Sequence, residues 1–179
     1  GPRATPTIWK DRVFVFTGEG ILTAVDFELG KVLWSHPTVS EHKGKTAEYG
    51  MACSPLVVGS NVIVTAGAPG ATVVAYDANS GKLAWKTGND PAGYSSPAVL
   101  EVGGRPQIVS FTGNSALGLA PETGELLWRY PYRTNFECNI VTPLAYDGQI
   151  FLSSGENHGS VMLALQPTKS SGKTNTFEA

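Results

Sequence analysis

The sequence predicts an all-β fold built from repeated four-stranded antiparallel sheets, and three observations support this class. Two independent markers recur along the chain with one spacing of forty-odd residues. Each interval between markers contains short apolar runs separated by turn-forming residues. The chain of 179 residues has 21 glycines and 12 prolines, which favour chain reversals, and 41% hydrophobic residues, which are enough for a buried core.

The first marker is a threonine or serine followed by proline, and it opens an apolar run four times. It occurs at Thr5-Pro6, Ser54-Pro55, Ser96-Pro97 and Thr142-Pro143. The second marker ends on tryptophan and occurs three times. Its structural residues are Asp26, Gly30 and Trp34, then Asp77, Gly81 and Trp85, then Gly124 and Trp128. Because both markers share one period, we expect several copies of one structural unit.

Each repeat is expected to contain four short strands, as the second repeat illustrates. Its strands are predicted over 54–58, 61–66, 71–76 and 82–86. The turn from Asp77 to Gly81 separates the third and fourth strands, since Asp and Asn bond to nearby backbone and Gly adopts positive φ. By the same pattern the four repeats extend approximately over 4–36, 52–87, 94–130 and 139–179.

Four strands per repeat of this length are typical of a β-propeller blade. Blades that pack face to face around an axis bury both faces of each sheet. We expect the markers' tryptophans to seal the gaps between blades. The chain is interpreted as a fragment of a longer propeller, in which four blades belong to a ring of seven or eight. Two open alternatives are a closed four-bladed ring and a homodimer of two half-rings.

The pattern Asp-x-x-x-Gly-Lys-x-x-Trp, at Asp26–Trp34 and Asp77–Trp85, resembles the pyrroloquinoline-quinone (PQQ) repeat. That repeat occurs in quinoprotein dehydrogenases and in PQQ-like propellers that usually lack the cofactor, among them the lipoprotein of the outer-membrane β-barrel assembly machinery. The resemblance implies a bacterial protein in the periplasm or elsewhere outside the cytoplasm. Its matching residues are structural, so it specifies the fold more closely than the function.

For the dehydrogenases, the resemblance implies PQQ on the propeller axis, stacked on a tryptophan, with Ca²⁺ bound by Glu, Asn and Asp and an Asp acting as base. Many of these enzymes also have a disulfide between adjacent cysteines. Here Cys53 and Cys138 are far apart. We therefore expect no catalytic residue, no metal site and no cofactor in this chain. PQQ with calcium is expected only if the chain is part of such a dehydrogenase.

The segments that lead into the first strand of each repeat contain the candidate binding residues. That strand should lie nearest the axis, so these segments face the mouth of the channel, where propellers tend to bind. The candidates are Arg3, Tyr49, Tyr94, Arg133, Asn135, Glu137 and Asn139, and Glu48, Met51 and Ser95 lie beside them. We expect a protein partner or a small ligand there. A carbohydrate is an alternative if Tyr49, Tyr94, Tyr130 and Tyr132 converge.

Charge and hydrophobicity exclude other classes of function. The net charge is -2 and no basic block is present, so the electrostatic footprint of a nucleic-acid-binding protein is missing. No run approaches the roughly eighteen apolar residues of a membrane span. His36, His42 and His158 lack partners at metal-ligand spacing and are expected at the surface or in turns. The leading hypothesis is a non-catalytic binding scaffold.

Overall fold

The computed structural model describes residues 3–155, 157–167 and 177–178 of the chain. Within these ranges the strands form three four-stranded sheets, one three-stranded sheet and one two-stranded sheet, and every pairing is antiparallel. The predicted all-β class and the predicted blade architecture are therefore confirmed. The number of blades in a closed ring stays a prediction.

The first two blades follow the predicted order of strands. Blade 1 contains β1 (Thr7–Trp9), β2 (Arg12–Phe16), β3 (Leu22–Asp26) and β4 (Val32–His36). A short helix, α1 (Thr38–Glu41), lies in the connection to blade 2. Blade 2 contains β5 (Leu56–Val58), β6 (Asn61–Ala68), β7 (Ala71–Asp77) and β8 (Leu83–Thr87).

The last two blades differ from each other in completeness. Blade 3 contains β9 (Ala98–Val102), β10 (Arg105–Phe111), β11 (Ser115–Leu119) and β12 (Leu126–Pro131). A 3-10 turn (Asn135–Glu137) leads to blade 4, whose strands are β13 (Leu144–Tyr146), β14 (Gln149–Ser154) and β15 (Gly159–Leu163). The two-stranded sheet pairs β16 (Gln166–Pro167) with β17 (Phe177–Glu178). Residues 168–176 of the predicted fourth blade lie outside the described residues.

Side chains that alternate between the two faces of each sheet build the core between blades. In blade 2, Val62 and Val64 pack in the cluster shared with blade 1, whereas Ile63 packs in the cluster shared with blade 3. Phe111 and Ile150 belong to a third cluster, between blades 3 and 4. Both faces of blades 2 and 3 are thus covered, as the face-to-face packing of a propeller requires. No helix of the described chain is long and apolar enough to cross a membrane.

The tryptophan of the second marker contacts the following blade. The indole N–H of Trp34 donates to the backbone oxygen of Ala78 at 3.3 Å, and that of Trp85 donates to the backbone oxygen of Pro121 at 3.2 Å. A Cβ atom on Gly81 would lie 2.8 Å from the ring of Trp34, and one on Gly124 would lie 2.3 Å from the ring of Trp85. Each indole therefore packs directly against the glycine of the next blade's turn.

Trp128 lies between blades 3 and 4 but bonds within its own blade. Its indole N–H donates to Oε1 of the buried Gln107 at 2.7 Å. Its ring packs in the cluster that also contains Ile150 and Leu152 of blade 4. All three tryptophans of the repeat thus pack between adjacent sheets.

The aspartate of the second marker stabilises the turn that precedes the outer strand. Oδ1 of Asp26 accepts the N–H groups of Glu28 and Leu29 at 3.1 and 2.7 Å. Asp77 accepts the N–H and the hydroxyl of Ser80, and these hydrogen bonds lower the pKa of Asp77. In blade 3 the same position is Ala120, whose backbone oxygen accepts the N–H of Gly124 at 2.9 Å. The backbone bond alone is therefore sufficient to close this turn.

The hydroxyl of the first marker joins neighbouring blades around the axis. The N–H of Thr5 donates to Oγ of Ser54, and the N–H of Ser54 donates to Oγ of Ser96, both at 2.9 Å. The hydroxyl of Ser95 donates to the backbone oxygen of Val141 at 3.0 Å. β1 also lies against β5, and β9 against β13. The first strand of each blade is therefore the innermost one, as predicted from the repeat.

Candidate functional site

A pocket of about 380 Å³ opens at the channel mouth, which is the end of the molecule where the first strands begin. Its lining comes from all four repeats. The lining residues are Arg3, Tyr49, Ala52, Ser54, Tyr94, Ser96, Cys138, Ile140 and Thr142. The guanidinium, the phenols and the hydroxyls are polar groups, while Ala52 and Ile140 supply apolar surface. This combination is typical of a site that binds a partner or ligand.

Residues at two positions of the repeat form most of the lining of the pocket at the mouth. The first is the hydroxyl residue before each proline, found as Ser54, Ser96 and Thr142. The second lies two residues earlier in each repeat and is found as Arg3, Ala52, Tyr94 and Ile140. In an extended chain, side chains two residues apart point the same way, so both positions face the axis.

Arg3, Tyr49 and Tyr94 form one continuous group at the mouth. The guanidinium carbon of Arg3 lies 5.8 Å from the ring centre of Tyr49. The rings of Tyr49 and Tyr94 are 6.1 Å apart at an angle of 43°, and the N–H of Tyr49 donates to the hydroxyl oxygen of Tyr94 at 3.3 Å. Burial raises the pKa of Tyr94. Its hydroxyl therefore keeps a proton to donate at neutral pH.

The other sequence candidates lie away from this group. Arg133 is exposed, and Asn135 is exposed in the 3-10 turn. Glu137 lines a second pocket of about 450 Å³ together with Lys43 and Lys45 of the connection after blade 1. The structure thus brings Arg3, Tyr49 and Tyr94 together and places the polar residues before blade 4 elsewhere.

Asn139 is buried, although the sequence suggests a residue exposed at the mouth. Its Nδ2 donates to the backbone oxygens of Thr112 and Tyr132 at 2.6 and 3.1 Å, and its Oδ1 accepts the hydroxyl of Thr134 at 3.1 Å. Its own backbone oxygen accepts the N–H of Tyr94 at 2.8 Å. Asn139 lies three residues before Thr142, so its side chain points away from the axis, and Ile140 faces the mouth instead.

The three residues beside the candidates also differ in whether they are exposed or buried. Glu48 is exposed, whereas Met51 and Ser95 are buried in the contacts between blades. The sequence reading missed six lining residues: Ala52, Ser54, Ser96, Cys138, Ile140 and Thr142. For most of them the signal was present, because the first marker fixes which repeat position faces the axis.

An aromatic cluster anchors the connection between blades 1 and 2. The ring of His36 stacks on that of Tyr76 at 4.5 Å, and Nε2 of His42 lies 3.3 Å from the Tyr76 hydroxyl. His36 also contacts Glu41 and the backbone oxygen of Gly81. Burial raises the pKa of Tyr76 to about 12. Burial and the nearby Lys86 lower the pKa of His42. Both histidines are therefore packing residues rather than freely exposed ones.

A buried carboxylate joins blades 2 and 3. Oδ2 of Asp90 accepts the hydroxyls of Thr112 and Ser115, and Oδ1 accepts Nη2 of Arg129 at 3.0 Å. Burial acts to raise the pKa of Asp90, but the bonds from Ser115, Thr112 and Arg129 outweigh it and hold this pKa below its usual range. The Thr72 hydroxyl donates to the backbone oxygen of Asp90 at 2.7 Å. This group is engaged in holding two blades together.

The four tyrosines considered for sugar binding do not converge. Tyr49 and Tyr94 lie together at the mouth. Tyr132 contacts the rings of Phe111 and His158, and Tyr130 packs against the same cluster between blades 3 and 4. The stacking platform that the carbohydrate alternative needs is therefore not formed by these four residues.

The cofactor site implied by the resemblance does not fit the described mouth. Among the described lining residues there is no carboxylate and no tryptophan. No group of three or more His, Cys, Asp or Glu side chains in the described ranges is placed to hold a metal ion. Cys53 and Cys138 form no disulfide, and burial raises the pKa of Cys53 to about 12. The described mouth offers hydrogen-bond donors and apolar contact but no calcium ligand set.

Comparison with known families identifies the repeat. A family model described as outer membrane protein assembly factor BamB matches residues 1–177. Quinohemoprotein alcohol dehydrogenase ADH IIB from Pseudomonas putida is 38% identical over 104 residues, which are 52% of this chain and 14% of that enzyme. The chain therefore spans a small part of that relative.

Solved structures share the fold. BamB from Moraxella catarrhalis superposes with a TM-score of 0.60 at 20% identity, over 85% of this chain and 43% of that one. The computationally designed Ika4 protein superposes with the same TM-score at 14% identity, over 91% of this chain and 92% of that one. At these identities the likeness establishes the architecture.

Proposed function

The chain belongs to the family described as outer membrane protein assembly factor BamB, and we propose that its blades form a non-catalytic scaffold that binds a protein segment at the channel mouth. A small ligand bound at the same mouth is the alternative to a protein segment. By the same resemblance, the protein acts in the periplasm or elsewhere outside the cytoplasm.

One observation carries this proposal: equivalent positions at the mouth differ in chemistry. The tryptophan and the turn glycine of the second marker are the same in three repeats, because the blade needs them for packing. The position two residues before the hydroxyl is instead cationic, small, phenolic and aliphatic in the four repeats, as Arg3, Ala52, Tyr94 and Ile140. This position faces the pocket, and its residue type differs between repeats that share one fold. Such a position is suited to recognising a particular partner or ligand.

The geometry favours an extended peptide as the occupant. The exposed Arg3 and the Tyr94 hydroxyl both donate hydrogen bonds, which suits backbone carbonyls or an acidic side chain. Tyr49 is 57% exposed and supplies an aromatic wall for an apolar side chain. The named relative is an assembly factor, so a component of an assembly machinery is the proposed protein partner.

Site-specific photo-crosslinking tests the proposal. A photoreactive phenylalanine analogue replaces Tyr49 in the whole chain, which is produced in a bacterial periplasm, and the matched control places it at Tyr146. Tyr146 is 74% exposed but lies at the end of β13 that is remote from the mouth. We expect a discrete partner adduct from position 49 and none from position 146.

Substitution of the neighbouring cation makes the test specific. Arg3→Ala combined with the label at position 49 should reduce the adduct severalfold, because the guanidinium is the strongest donor at the mouth. Arg3 is exposed, so folding should be unchanged in circular dichroism. Equal adducts from positions 49 and 146, or an adduct insensitive to Arg3→Ala, would contradict binding at the mouth.

A second candidate is that the chain is part of a PQQ-dependent dehydrogenase. The 38% identity with ADH IIB over 104 residues favours it. When bound, PQQ would supply the redox chemistry of alcohol oxidation, and the described residues do not provide its calcium ligands. Titration of the chain with micromolar PQQ in excess Ca²⁺ distinguishes the candidates. A saturable change in PQQ absorbance would favour the dehydrogenase, and its absence would leave the scaffold.

A further inference from the structure

Hydroxyl groups lie side by side around the axis at the channel mouth, because the first marker places a serine or threonine before each proline. The four residues are Thr5, Ser54, Ser96 and Thr142, and the last three line the pocket. This position is constant in chemistry, whereas the position two residues earlier differs in every repeat. A ligand at the mouth therefore meets the same hydroxyl group from each repeat.

The described fold uses the oxygens of these hydroxyls and leaves their protons free. Oγ of Ser54 accepts the N–H of Thr5, and Oγ of Ser96 accepts the N–H of Ser54, both at 2.9 Å. Among the described residues, neither serine has an acceptor for its own hydroxyl proton. Both side chains are half-buried. A half-buried donor without an acceptor costs free energy, so water or a ligand has to supply one.

Tyr94 and Arg3 add two more donors to the same pocket. The hydroxyl oxygen of Tyr94 accepts the N–H of Tyr49 at 3.3 Å, and no atom of the described chain accepts the Tyr94 proton. The guanidinium of Arg3 can only donate, and it forms no ion pair with a described residue. The polar groups of the mouth thus share one unmet need, which is a hydrogen-bond acceptor.

The protein's own carboxylates do not meet this need. No described lining residue of the pocket is an aspartate or a glutamate. Glu48 is exposed beside the mouth, and its charge is one of the causes that raise the pKa of Tyr94, after burial. Glu48 forms no ion pair within the described ranges. It therefore leaves the donors free and acts on an incoming anion only by weak repulsion.

Apolar surface lies next to the donors. Ala52 and Ile140 line the same pocket, two residues before the hydroxyl of their repeats, and Ile140 is 50% exposed. Positions two residues apart in an extended chain are separated by roughly 6–7 Å. One aliphatic residue with a free carboxylate can reach both, because its charged group and its apolar side chain are attached to the same Cα. Aspartate and glutamate have no comparable apolar group.

We propose that the channel mouth binds a carboxylate, and that this carboxylate is the chain terminus of an aliphatic residue. The hydroxyls of Ser54, Ser96 and Tyr94 and the guanidinium of Arg3 donate to its oxygens. The aliphatic side chain packs against Ile140. This inference rests on the proposed binding of a protein segment at the mouth and specifies which part of the segment binds. An acidic side chain and an inorganic anion are other sources of the same chemistry, and the test separates them.

Titration of the whole chain with N-acetyl-leucine, followed by NMR, tests the proposal. The amide of Ser54 is the reporter, because it donates to Oγ of Ser96 and that oxygen becomes a stronger acceptor when its own proton is donated. We expect saturable shifts at Ser54 and Thr5, with a Kd in the millimolar range for a ligand of about a dozen heavy atoms. N-acetyl-leucinamide is the matched control and should bind at least about fivefold more weakly, since it lacks the charge. Equal binding of the acid and the amide would overturn the proposal.

Two further probes identify the source of the carboxylate. The α-amide of N-acetyl-aspartic acid carries an acidic side chain on a capped backbone, and inorganic phosphate carries charge without apolar surface. Both should bind about threefold or more weakly than N-acetyl-leucine, because neither buries an aliphatic group. Equal or tighter binding of either probe would overturn the choice of a chain terminus. Binding should persist in EDTA, and its loss there would show that a metal ion makes the contact and would overturn the proposal.

Substitutions of charged residues test the electrostatics. Arg3→Gln should weaken the binding of N-acetyl-leucine by about fivefold. Lys82→Gln removes the same charge from the turn between β7 and β8, an exposed position remote from the mouth, and should leave the Kd unchanged. Glu48→Gln should tighten binding by about twofold, because it removes a repelling charge. An unchanged Kd in Arg3→Gln, or equal losses in Arg3→Gln and Lys82→Gln, would overturn the proposal.

Substitutions of one hydroxyl test the donors. Ser96→Thr keeps the hydroxyl and matches Thr142 of the fourth repeat, so it should retain the Kd within about twofold. Ser96→Ala should weaken binding by about threefold or more, and equal affinities of the two variants would contradict donation by this group. Ser96→Ala also removes the acceptor of the Ser54 N–H, and if it does not fold, the pair Arg3→Gln and Lys82→Gln decides.

The two proposals for the mouth can fail separately. A partner adduct at position 49 together with equal binding of N-acetyl-leucine and its amide would leave the scaffold and remove the carboxylate site. Selective binding of N-acetyl-leucine without any partner adduct would leave a carboxylate site for a small ligand and remove the protein segment.

Discussion

Gly81 and Gly30 share one backbone conformation but differ in what lies above them, which makes them a matched pair. Gly81→Ala and Gly30→Ala should each lose about 1–2 kcal/mol of unfolding free energy, because an L side chain is strained at positive φ. Gly81→Ala should lose a further 1–3 kcal/mol or so, since its Cβ displaces the ring of Trp34. Urea unfolding of the two variants measures the difference. Equal losses would show that this indole contact contributes nothing to stability.

The ionised Asp90 should make the free energy of unfolding decrease as the pH is lowered. Its pKa is lowered in the folded state, so its contribution is present above the unfolded value of about 4 and is lost as the pH falls through the folded pKa. Asp90→Asn should cost about 1–3 kcal/mol at pH 7, because charged hydrogen bonds from Arg129 and two hydroxyls are weakened.

Comparison of unfolding curves from pH 7 to pH 3 measures this effect. The gap between wild type and Asp90→Asn should narrow as the pH falls below about 4. Asp147→Asn is the control, since Asp147 lies exposed in a turn, and it should follow the wild type throughout. A gap that stays constant down to pH 3 would mean that the charge of Asp90 does not stabilise the fold.

Single residues also show where sequence reasoning succeeded at the mouth and where it did not. Arg3 and Tyr94 lie in the pocket because they occupy the same repeat position, which the first marker fixes. Asn139 is one position out of phase with them and is buried. The polarity of Asn139 suggests a residue that faces the mouth. The alternation of side chains along an extended chain instead predicts that the apolar Ile140 faces the mouth.

At the scale of elements, the connection 37–50 is held on blade 2 by Tyr76. Tyr76→Phe removes the hydroxyl beside His42, which should release the connection by about 0.5–1.5 kcal/mol. Trypsin should then cut after Lys43 or Lys45 roughly two to ten times faster, because cleavage follows the population of the open form. Cleavage after Lys82, in the turn of blade 2, should be unchanged. Unaltered cutting at Lys43 and Lys45 would show that the stacked ring of His36 suffices to hold the connection.

Strands were easier to predict than this connection. The strands expected at 54–58 and 82–86 correspond to β5 (Leu56–Val58) and β8 (Leu83–Thr87). Glycine, proline and Asx turns delimit strands through local conformation, which the sequence shows directly. The packing of His36 and His42 depends instead on Tyr76, which lies more than thirty residues away and belongs to another sheet. Only the tertiary fold brings these three residues together.

At the scale of the molecule, blades should open in an order set by their position. Six of the seven residues of β7 and all five of β11 are buried, whereas only Leu163 is buried in β15. Stacked repeats contact only their neighbours, and described blades pack against only one face of blade 1 and of blade 4, so these two blades lose fewer of the described contacts when they open. Hydrogen exchange by mass spectrometry should find β7 and β11 slower than β3 and β15 by at least about tenfold. Uniform rates across the blades would indicate one all-or-none unit.

The repeat predicts the sheets but leaves the ring open to several solutions. Periodicity specifies how one blade meets the next, and the clusters between blades 1 and 2, 2 and 3, and 3 and 4 all follow that rule. The number of blades depends on the angle between sheets and on chain beyond one repeat. That quantity is not encoded in any single turn or strand, so the sequence could not determine it.

The bond from each indole to a backbone carbonyl has a consequence for descent by duplication. Trp34 and Trp85 recognise the main chain of Ala78 and Pro121, two residues whose side chains have little in common. When a side chain of the turn is mutated, the tryptophan that contacts the turn does not have to change with it. A duplicated blade would therefore pack against the blade from which it was copied without further mutation. A gene that encodes this repeat could gain or lose whole blades while the contacts between the remaining blades were preserved.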